Sequence, residues 1–580
     1  MLSDSACLHA LLEILQYLPL ASREEQLVLV QKLYGVPPAL LEKIFLQVSH
    51  ICITHEEPHV QENLRCFMHW LSGRSFIMAL RLSLSIDSTH DLFQFLGLGD
   101  RVKEIHDKIE SFAINRRGSV ERNGCNDRIE EEIKRKELRL KLFNDQKMFL
   151  SAITRLSKHL LTFASRRQRQ IELKKELAVI NKLLESQALI YPLGRDGEPV
   201  RWVVNIAVED CVVFFSRERA PFLLRCEVIV DDTTTFNDPS ASKLRLPDGR
   251  FKISPDSDEV FSTAHAGEKE QGGEGAVSCG ATHSETKLFR KVFGELPEER
   301  AARLRRQSRL GNHPNWGIST FIVKSGDNLR QEELALQLVE FFNTIWKNAG
   351  VACTVVPYGV LSVGVDSGII ECVDGACSVD GIKKTCKKPL LHKFFDEAFG
   401  AKGSRKYREA QKKFVETMAG YSIFTYMMQV KDRHNGNILI MNDGSLVHID
   451  FGFMLVTSPG GLNFESAPFK LSQELLEVMG GVGSSLFNYF KILFYLGMKA
   501  IRDRADDIIA LVSLMAPYNT LSCFGSSPEF AIRQLRSRFR LDLESEAEFA
   551  LYVKELIVES ADNWRTRRYD QFQSIQNGIW

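Results

Sequence analysis

The sequence predicts an α+β fold, an all-helical region followed by a two-lobed unit whose first lobe is strand-rich and whose second is helical. Three observations predict it. Apolar residues recur at helical spacing near the start, in Leu11, Leu12, Ile14, Leu15 and Leu18 and again in Leu41, Ile44, Phe45 and Val48. From about residue 187 the period shifts toward two, in Trp202-Val203-Val204, Cys211 to Phe215 and Phe222 to Val230. From Leu391 the pattern is mainly helical again, broken by one short hairpin.

Residues 1–115 read as a helical domain, with Cys66 to Leu84 in the same style and Gly and Pro sparse. Residues 116–186 read as a charged helical connector. Its basic clusters, Lys134-Arg135-Lys136 and Arg166 to Arg169, are read as solvated helix faces rather than a nuclear address, because Glu130 to Glu132 and Glu172 intersperse the other sign. The two-lobed unit is placed at 187–580, its strand-rich lobe at 187–373 and its helical lobe at 374–580. Residues 231–285, rich in Ser, Thr, Gly, Asp and Pro, read as a loop or disordered insertion. Beyond it come a strand over Ile318 to Lys324, a helix over Gln331 to Asn348 and strands between Ala352 and Val373. A cleft between two such lobes is where a ligand is expected.

Composition narrows the function classes. At 580 residues the chain is too long for one compact core, and two or three domains are expected. Lys+Arg and Asp+Glu are both 74, so a globally basic surface for nucleic acid is excluded and an anionic partner must meet a local patch. The 12 cysteines form no Cys-x-x-Cys pair, so neither a zinc framework nor a disulfide scaffold is written, and a reducing compartment is expected. No run of 18 apolar residues occurs, so no transmembrane segment is expected. Leu8 to Leu20 is apolar-rich, but it lacks a basic flank and Asp4 and Glu13 interrupt it, so it reads as the first helix of a cytosolic protein rather than a signal peptide.

The residues that carry chemistry begin at Asp432-Arg433-His434-Asn435-Gly436-Asn437. The run Ile438 to Met441 follows, then the turn Asn442-Asp443-Gly444-Ser445, then Leu446 to Ile449 leading into Asp450-Phe451-Gly452. Two short apolar runs around Asp-Gly predict a β-hairpin. The hairpin would bring Asn437 and Asp450 to one end, so that two hard oxygen ligands converge on a point suited to Mg²⁺ bound with phosphates. Asp432 precedes Asn437 by the Asp-x-x-x-x-Asn spacing of a kinase catalytic loop, and Asp450 opens an Asp-Phe-Gly, so a two-lobed protein-kinase-like catalytic domain is predicted.

A second constellation lies upstream. Lys324 ends the predicted strand. On the helix that follows, Glu332, Ala335, Val339, Phe342 and Trp346 share one face, so Glu332 points inward. The pattern predicts a Lys324–Glu332 ion pair with the lysine aimed at ATP phosphate. No Gly-x-Gly-x-x-Gly loop precedes Lys324, which argues against an ordinary protein kinase; the segment Arg306 to Asn312, with Ser308, is the candidate to cover the phosphates.

Lys324-Ser325-Gly326-Asp327-Asn328-Leu329-Arg330-Gln331-Glu332 resembles the Lys-x-Gly-Asp-Asp-Leu-Arg-Gln-acid signature of the phosphatidylinositol 3- and 4-kinase superfamily, with Asn328 in place of the second Asp. Asp432 to Asn435 resembles its inverted catalytic loop. Gln429 to Leu439, His448 to Phe453, Phe469-Lys470-Leu471, Val478 to Gly481, Tyr569-Asp570 and Asn577 to Ile579 resemble the type III beta phosphatidylinositol 4-kinases. The resemblance is continuous from about Gly311 to Trp580, weaker across Phe149 to Val230, and touches the family's helical domain at 61–87.

It implies roles. Asp432 and His434 would be catalytic, with His434 a candidate base for the inositol hydroxyl. Asn437 and Asp450 would hold Mg²⁺ or Mn²⁺. ATP would meet Lys324 with Glu332 as its partner, Tyr358 in the adenine pocket and the backbone of Glu371 to Val373 as hinge. Partners implied are phosphatidylinositol in membranes, small GTPases of the Rab or Arf kind and adaptor proteins. The location implied is cytoplasmic, peripheral on Golgi or endomembranes.

From Asp450 to Lys470 the only charges are Asp450, Glu465 and Lys470. A kinase acting on already phosphorylated inositol lipids would want a basic cluster there, so unphosphorylated phosphatidylinositol is the expected substrate, with Lys470 as an activation-loop residue. Phe453, Met454, Leu455 and Leu462 are candidates to touch lipid, and Phe451 is expected to pack inside. Tyr569, Phe572, Ile575, Ile579 and Trp580 predict an amphipathic C-terminal helix behind Arg565, Arg567 and Arg568, suited to an anionic membrane or equally to the kinase core. The competing readings are a phosphatidylinositol 3-kinase, a Ser/Thr protein kinase of the superfamily and a pseudokinase scaffold.

Overall fold

The computed structural model describes residues 4–18, 20–55, 57–115, 126–184, 186–214, 218–242, 287–387, 390–461 and 467–580. Phe215, residues 243–285, Leu462 and Glu465 lie outside the described residues.

The N-terminal region is helical as expected, from Asp4–Tyr17 to Gly99–Ile114. Its leucine stripes turn inward, and Leu11, Leu12, Leu15, Leu41 and Ile44 are buried. Helix Asn126–Leu160 follows, then helix Arg166–Leu183, whose first turn is closed by the Ser165 capping box. The first of these lies against the sheet below, where Ser157 donates to the Ala220 carbonyl at 3.1 Å. Arg166 and Arg167 are solvated, but Arg169 is buried and donates to the carbonyls of Phe163 at 2.8 Å and Arg219 at 3.3 Å.

The upper lobe is an antiparallel sheet of β1 (Pro199–Ile206), β2 (Val212–Val213), β3 (Phe222–Thr235), β4 (Trp316–Ser325), β5 (Val360–Gly364) and β6 (Ser367–Glu371). The order is β1-β3-β4-β6-β5, with β2 on β3, so β4 runs through the middle and carries Lys324 to its end. Residues 231–242, expected as loop, are instead ordered. β3 continues to Thr235, and the buried Asp231 accepts from Thr233 Oγ1 at 2.6 Å and Thr234 Oγ1 at 3.0 Å. Local hydrogen bonding by Asp and Thr thus builds structure where composition suggested a loop.

The lower lobe holds a small sheet, β7 (Ala376–Ser378), β8 (Ile438–Met441) and β9 (Leu446–His448), in the order β7-β8-β9. The chain passes from Glu371 in the upper sheet to Ala376 in the lower one through four residues, a short link suited to a hinge. Helix Arg330–Asn348 packs between the lobes with Leu334, Leu338, Val339, Phe342 and Trp346 buried. Helix Arg405–Met428 is capped by Ser404, which accepts from the Tyr407 N–H at 3.2 Å, and ends at Gln429 with φ +48°. Among the described residues no helix is long and apolar enough to cross a membrane.

Candidate active site

The predicted hairpin forms. β8 and β9 pair in the register Ile438↔His448, and Gly444 turns the chain at φ +92°, where a Cβ would stand 2.5 Å from the Ala410 carbonyl oxygen. The Ile449 N–H donates to the Asn437 carbonyl at 3.1 Å, so Asn437 and Asp450 do emerge at the same end. The Asn437 Nδ2 donates to the Asp432 carbonyl at 3.0 Å, which leaves its Oδ1 for a ligand. Arg433 clamps the two segments, donating to the carbonyls of Lys431 at 3.0 Å, Ile449 at 2.8 Å and Asp450. Asp432 and Asp450 sit at φ +63° and +62°, a conformation that costs a side chain of order 1–3 kcal/mol and persists only where surroundings enforce it.

Lys324 faces this end. Burial opposes its charge, but the carboxylates of Asp450, Glu332 and Asp327 together outweigh burial and hold the ammonium above the usual lysine range. Burial likewise disfavours the Asp450 carboxylate, yet Lys324 and Arg433 hold its pKa below the ordinary value. An ionised carboxylate and an amide oxygen are hard donors that fit Mg²⁺ carrying ATP phosphates.

The Lys324–Glu332 ion pair is not formed. Lys324 Nζ instead meets Asp327 Oδ2 at 2.6 Å, on the turn just beyond β4, and Arg219 pairs with the other Asp327 oxygen. Glu332 accepts from the Tyr358 hydroxyl at 3.2 Å. Burial pushes its pKa up to about 7, with Asp450 adding to the rise and Lys324 opposing it. Its neighbour Glu333 is pushed by burial to about 7 as well, against hydrogen bonds from Ser362. An unfolded carboxyl releases its proton near 4.5 and the folded Glu333 near 7, so between these values the folded state holds the extra proton and stability falls as pH rises. Glu333→Gln removes a destabilisation of roughly 3 kcal/mol that the ionised carboxylate imposes above about pH 7. Its apparent Tm is expected to decline less than that of the parent between about pH 5 and 8, as thermal melts would show.

The Ser308 hydroxyl, expected over the phosphates, is bonded within the upper sheet. It is committed to the buried carboxylate of Glu227, which also accepts from Trp316 Nε1 at 3.0 Å and Asn205 Nδ2 at 2.6 Å, next to a small apolar cluster that includes Leu304 and Leu310. Arg219, just before β3, pairs with Asp327, the same residue that Lys324 meets. The hairpin of two apolar runs at 211–215 and 222–230 was the available signal for it. In the hinge, the Glu371 N–H is taken by the Gly359 carbonyl at 2.7 Å, and the Glu371 carboxylate accepts the Gly359 N–H at 2.8 Å. Val373 is therefore the hinge position whose N–H has no backbone partner among the described residues. Tyr358 is buried, with its hydroxyl on Glu332 rather than open to a ligand.

Lys470, read from the sequence as an activation-loop residue, is engaged inside the fold. It is buried and donates to Asn435 Oδ1 at 3.0 Å and Asp570 Oδ1 at 2.6 Å. It thereby ties helix Trp564–Asn577 to the catalytic loop. That helix supplies residues that spacing alone did not connect to the site. The Tyr569 hydroxyl donates to Asp432 Oδ1, Gln573 Nε2 donates to the Tyr569 oxygen at 2.8 Å, and Asn435 Nδ2 donates to the Trp580 carbonyl at 2.8 Å. Asp570→Ala leaves the buried Lys470 ammonium without its acid and is expected to cost up to about 3 kcal/mol locally. Faster amide exchange confined to 564–580 would reveal it.

The helix splits the two expectations made for it: Tyr569 packs inward, while Phe572 and Ile575 stay exposed. Phe451 is buried with its ring 5.8 Å from Phe424, as expected. Met454 and Leu455 are buried too, so neither is open to lipid.

His434 lies beside Asp432, Nε2 to Oδ2 at 3.9 Å, and its Nδ1 accepts the Gly436 N–H at 3.0 Å. Burial holds its pKa below the ordinary histidine value against the pull of Asp432, so the ring is neutral near pH 7. With Nδ1 accepting, the single proton of the neutral ring sits on Nε2.

Residues 318–524 match the family described as phosphatidylinositol 3- and 4-kinase. The chain is 44% identical over 298 residues to a phosphatidylinositol 4-kinase of Dictyostelium discoideum, covering 51% of this chain and 25% of the relative. It is 45% identical over 293 residues to phosphatidylinositol 4-kinase beta 2 of Arabidopsis thaliana, 50% of this chain and 26% of that one. Against phosphatidylinositol 4-kinase beta of Sorex araneus the identity is 31% over 545 residues, 82% of this chain and 66% of the relative. The matched stretch thus spans about a quarter of the first two relatives and just under two thirds of the third. With a kinase-like catalytic loop, its Asp-Phe-Gly hairpin and these matches in one lobe pair, the chain belongs to the phosphatidylinositol 3- and 4-kinase family, among the relatives of the beta-type phosphatidylinositol 4-kinases.

Proposed function

We propose that the protein transfers the γ-phosphoryl group of ATP to the 4-hydroxyl of phosphatidylinositol, giving phosphatidylinositol 4-phosphate at a membrane surface. The observation that carries this reading is the meeting of Asp432, Asn437, Asp450 and Lys324 at one end of the hairpin, in a chain whose relatives bear the name phosphatidylinositol 4-kinase. Lys324 pairs with the ATP phosphates, and Asn437 Oδ1 with Asp450 holds Mg²⁺. The metal, when bound, offsets charge building on the phosphoryl oxygens. Val373 offers its backbone N–H to adenine.

Asp432 takes the proton of the attacking inositol hydroxyl. His434, with its proton on Nε2 and its Nδ1 engaged by Gly436, is better placed to orient that carboxylate than to act as the base itself. The exposed Phe572, Ile575 and Trp580, behind Arg565, Arg567 and Arg568, are the surface we assign to the membrane interface. Peripheral binding to Golgi membranes, recruitment by small GTPases and the use of Mn²⁺ in place of Mg²⁺ are further parts of this proposal.

The test is an assay with radiolabelled ATP, Mg²⁺ and phosphatidylinositol vesicles, with products resolved by headgroup chromatography. Labelled 4-phosphate supports the proposal. The 3-phosphate would move the protein to the 3-kinases, and no labelled lipid with ATP still bound would overturn it.

A further inference from the structure

On helix Trp564–Asn577 the residues Tyr569, Gln573 and Asn577 stand four apart and share one face. Tyr569 and Gln573 are buried. The polar atoms of the three form one row. Asn577 Nδ2 donates to Gln573 Oε1 at 2.7 Å, Gln573 Nε2 donates to the Tyr569 oxygen at 2.8 Å, and the Tyr569 hydroxyl donates to Asp432 Oδ1. The row runs in one direction. With Oε1 engaged by Asn577, the Gln573 amide presents an N–H to the phenol. The phenol oxygen that accepts it turns its own proton to the carboxylate.

The two oxygens of Asp432 are thereby told apart. Oδ1 takes the phenol, while Oδ2 lies 3.9 Å from His434 Nε2. The terminal torsion of an aspartate is broad, and a hydrogen bond to one oxygen fixes it. The helix itself is held on the catalytic loop by separate contacts. Lys470 Nζ donates to Asp570 Oδ1 at 2.6 Å and to Asn435 Oδ1 at 3.0 Å, and Asn435 Nδ2 donates to the Trp580 carbonyl at 2.8 Å. Docking of the helix therefore does not depend on the phenol, and what the phenol alone sets is the carboxylate.

We infer that Tyr569 is a positioning residue of the phosphoryl transfer: its hydroxyl, oriented by Gln573, holds the Asp432 carboxylate so that Oδ2 receives the proton of the inositol hydroxyl. In that step the inositol oxygen bonds to the γ-phosphorus. The bond from that phosphorus to the β–γ bridging oxygen breaks, ADP leaves with the electron pair, and the hydroxyl proton passes to Asp432 Oδ2. A carboxylate fixed before the reaction needs no reorganisation during it, so the hydroxyl acts on the rate of transfer rather than on substrate binding. The inference rests on the reading of Asp432 as the base of a lipid kinase.

The test compares the full chain with Tyr569→Phe, which keeps the buried ring and removes only the hydroxyl, on phosphatidylinositol vesicles with radiolabelled ATP. kcat is expected to fall about tenfold or more, with KM for ATP and for phosphatidylinositol within about twofold of the parent. Amide exchange across 564–580 should be unchanged. Gln573→Met leaves the hydroxyl in place without its orienting donor and is expected to lower kcat about threefold. In single-turnover assays, adding Tyr569→Phe to Asp432→Asn should lower the residual rate less than about twofold, because the hydroxyl acts through the carboxylate. Losses that multiply in the double variant, a raised KM with kcat unchanged, or a fall in kcat accompanied by faster exchange across 564–580 would each overturn the positioning role. Near-normal kcat in Tyr569→Phe, with Asp432→Asn impaired as expected, would overturn this inference and leave Asp432 as the base. Near-normal turnover in Asp432→Asn would overturn the base assignment itself, and no labelled lipid from the parent would overturn the function proposed for the cleft.

Discussion

Asp432→Asn is expected to lower turnover by about 10³-fold or more while ATP binding and the melting temperature stay near those of the parent. The amide keeps the shape of the side chain and can still meet the Tyr569 hydroxyl, so the C-terminal helix stays docked. It cannot accept the proton of the inositol hydroxyl. The backbone of the loop is set independently by Arg433 and by the Asn437 amide on the Asp432 carbonyl. His434→Gln provides the contrast. If His434 orients the carboxylate, its loss should cost less than that of Asp432, about 10- to 100-fold, and the acidic limb of the pH–rate profile should persist. A histidine substitution as damaging as Asp432→Asn, with that limb removed, would return the base role to His434.

Asp450→Ala is the second large effect. It removes the one ionised ligand proposed for the metal and one of the charges that sustain the Lys324 ammonium. Turnover is expected to become undetectable, and Mg²⁺ should no longer raise ATP affinity, which a nucleotide titration with and without the metal would measure. The fold should survive. Arg433 bonds to the backbone carbonyl of Asp450 rather than to its carboxylate, and Gln331 holds the following carbonyls of Phe451 and Gly452 at 2.9 and 2.8 Å. Near-normal turnover in this variant would remove Asp450 from the proposed metal site.

Both predictions rest on residues legible in the sequence, because the hairpin is a local object. Two apolar runs around Asn-Asp-Gly specify a turn, the turn specifies a register, and the register alone brings Asn437 beside Asp450. The inward face of helix Arg330–Asn348 was legible for the same reason, since a period of three and four residues fixes which side is buried.

Charge partners were not legible, because they depend on which segments meet in space. Helical periodicity turned Glu332 inward, but only the packed lobes decided that Tyr358 would meet it and that Lys324 would bond to Asp327. Ser308 precedes β4 in the chain, yet the register of β3 on β4 puts it on Glu227, while Arg219 shares Asp327 with Lys324. Lys470 stood in the sequence as a lone charge at the end of the activation loop. In the fold it is a buried strut between Asn435 and Asp570, some hundred residues further along the chain. The sequence by itself determined the lobes, the hairpin and the convergence of Asn437 and Asp450, since these follow from local periodicity and turn chemistry. Only the tertiary structure decided the ion pairs and the docking of the C-terminal helix on Asp432, since each joins segments that no spacing relates.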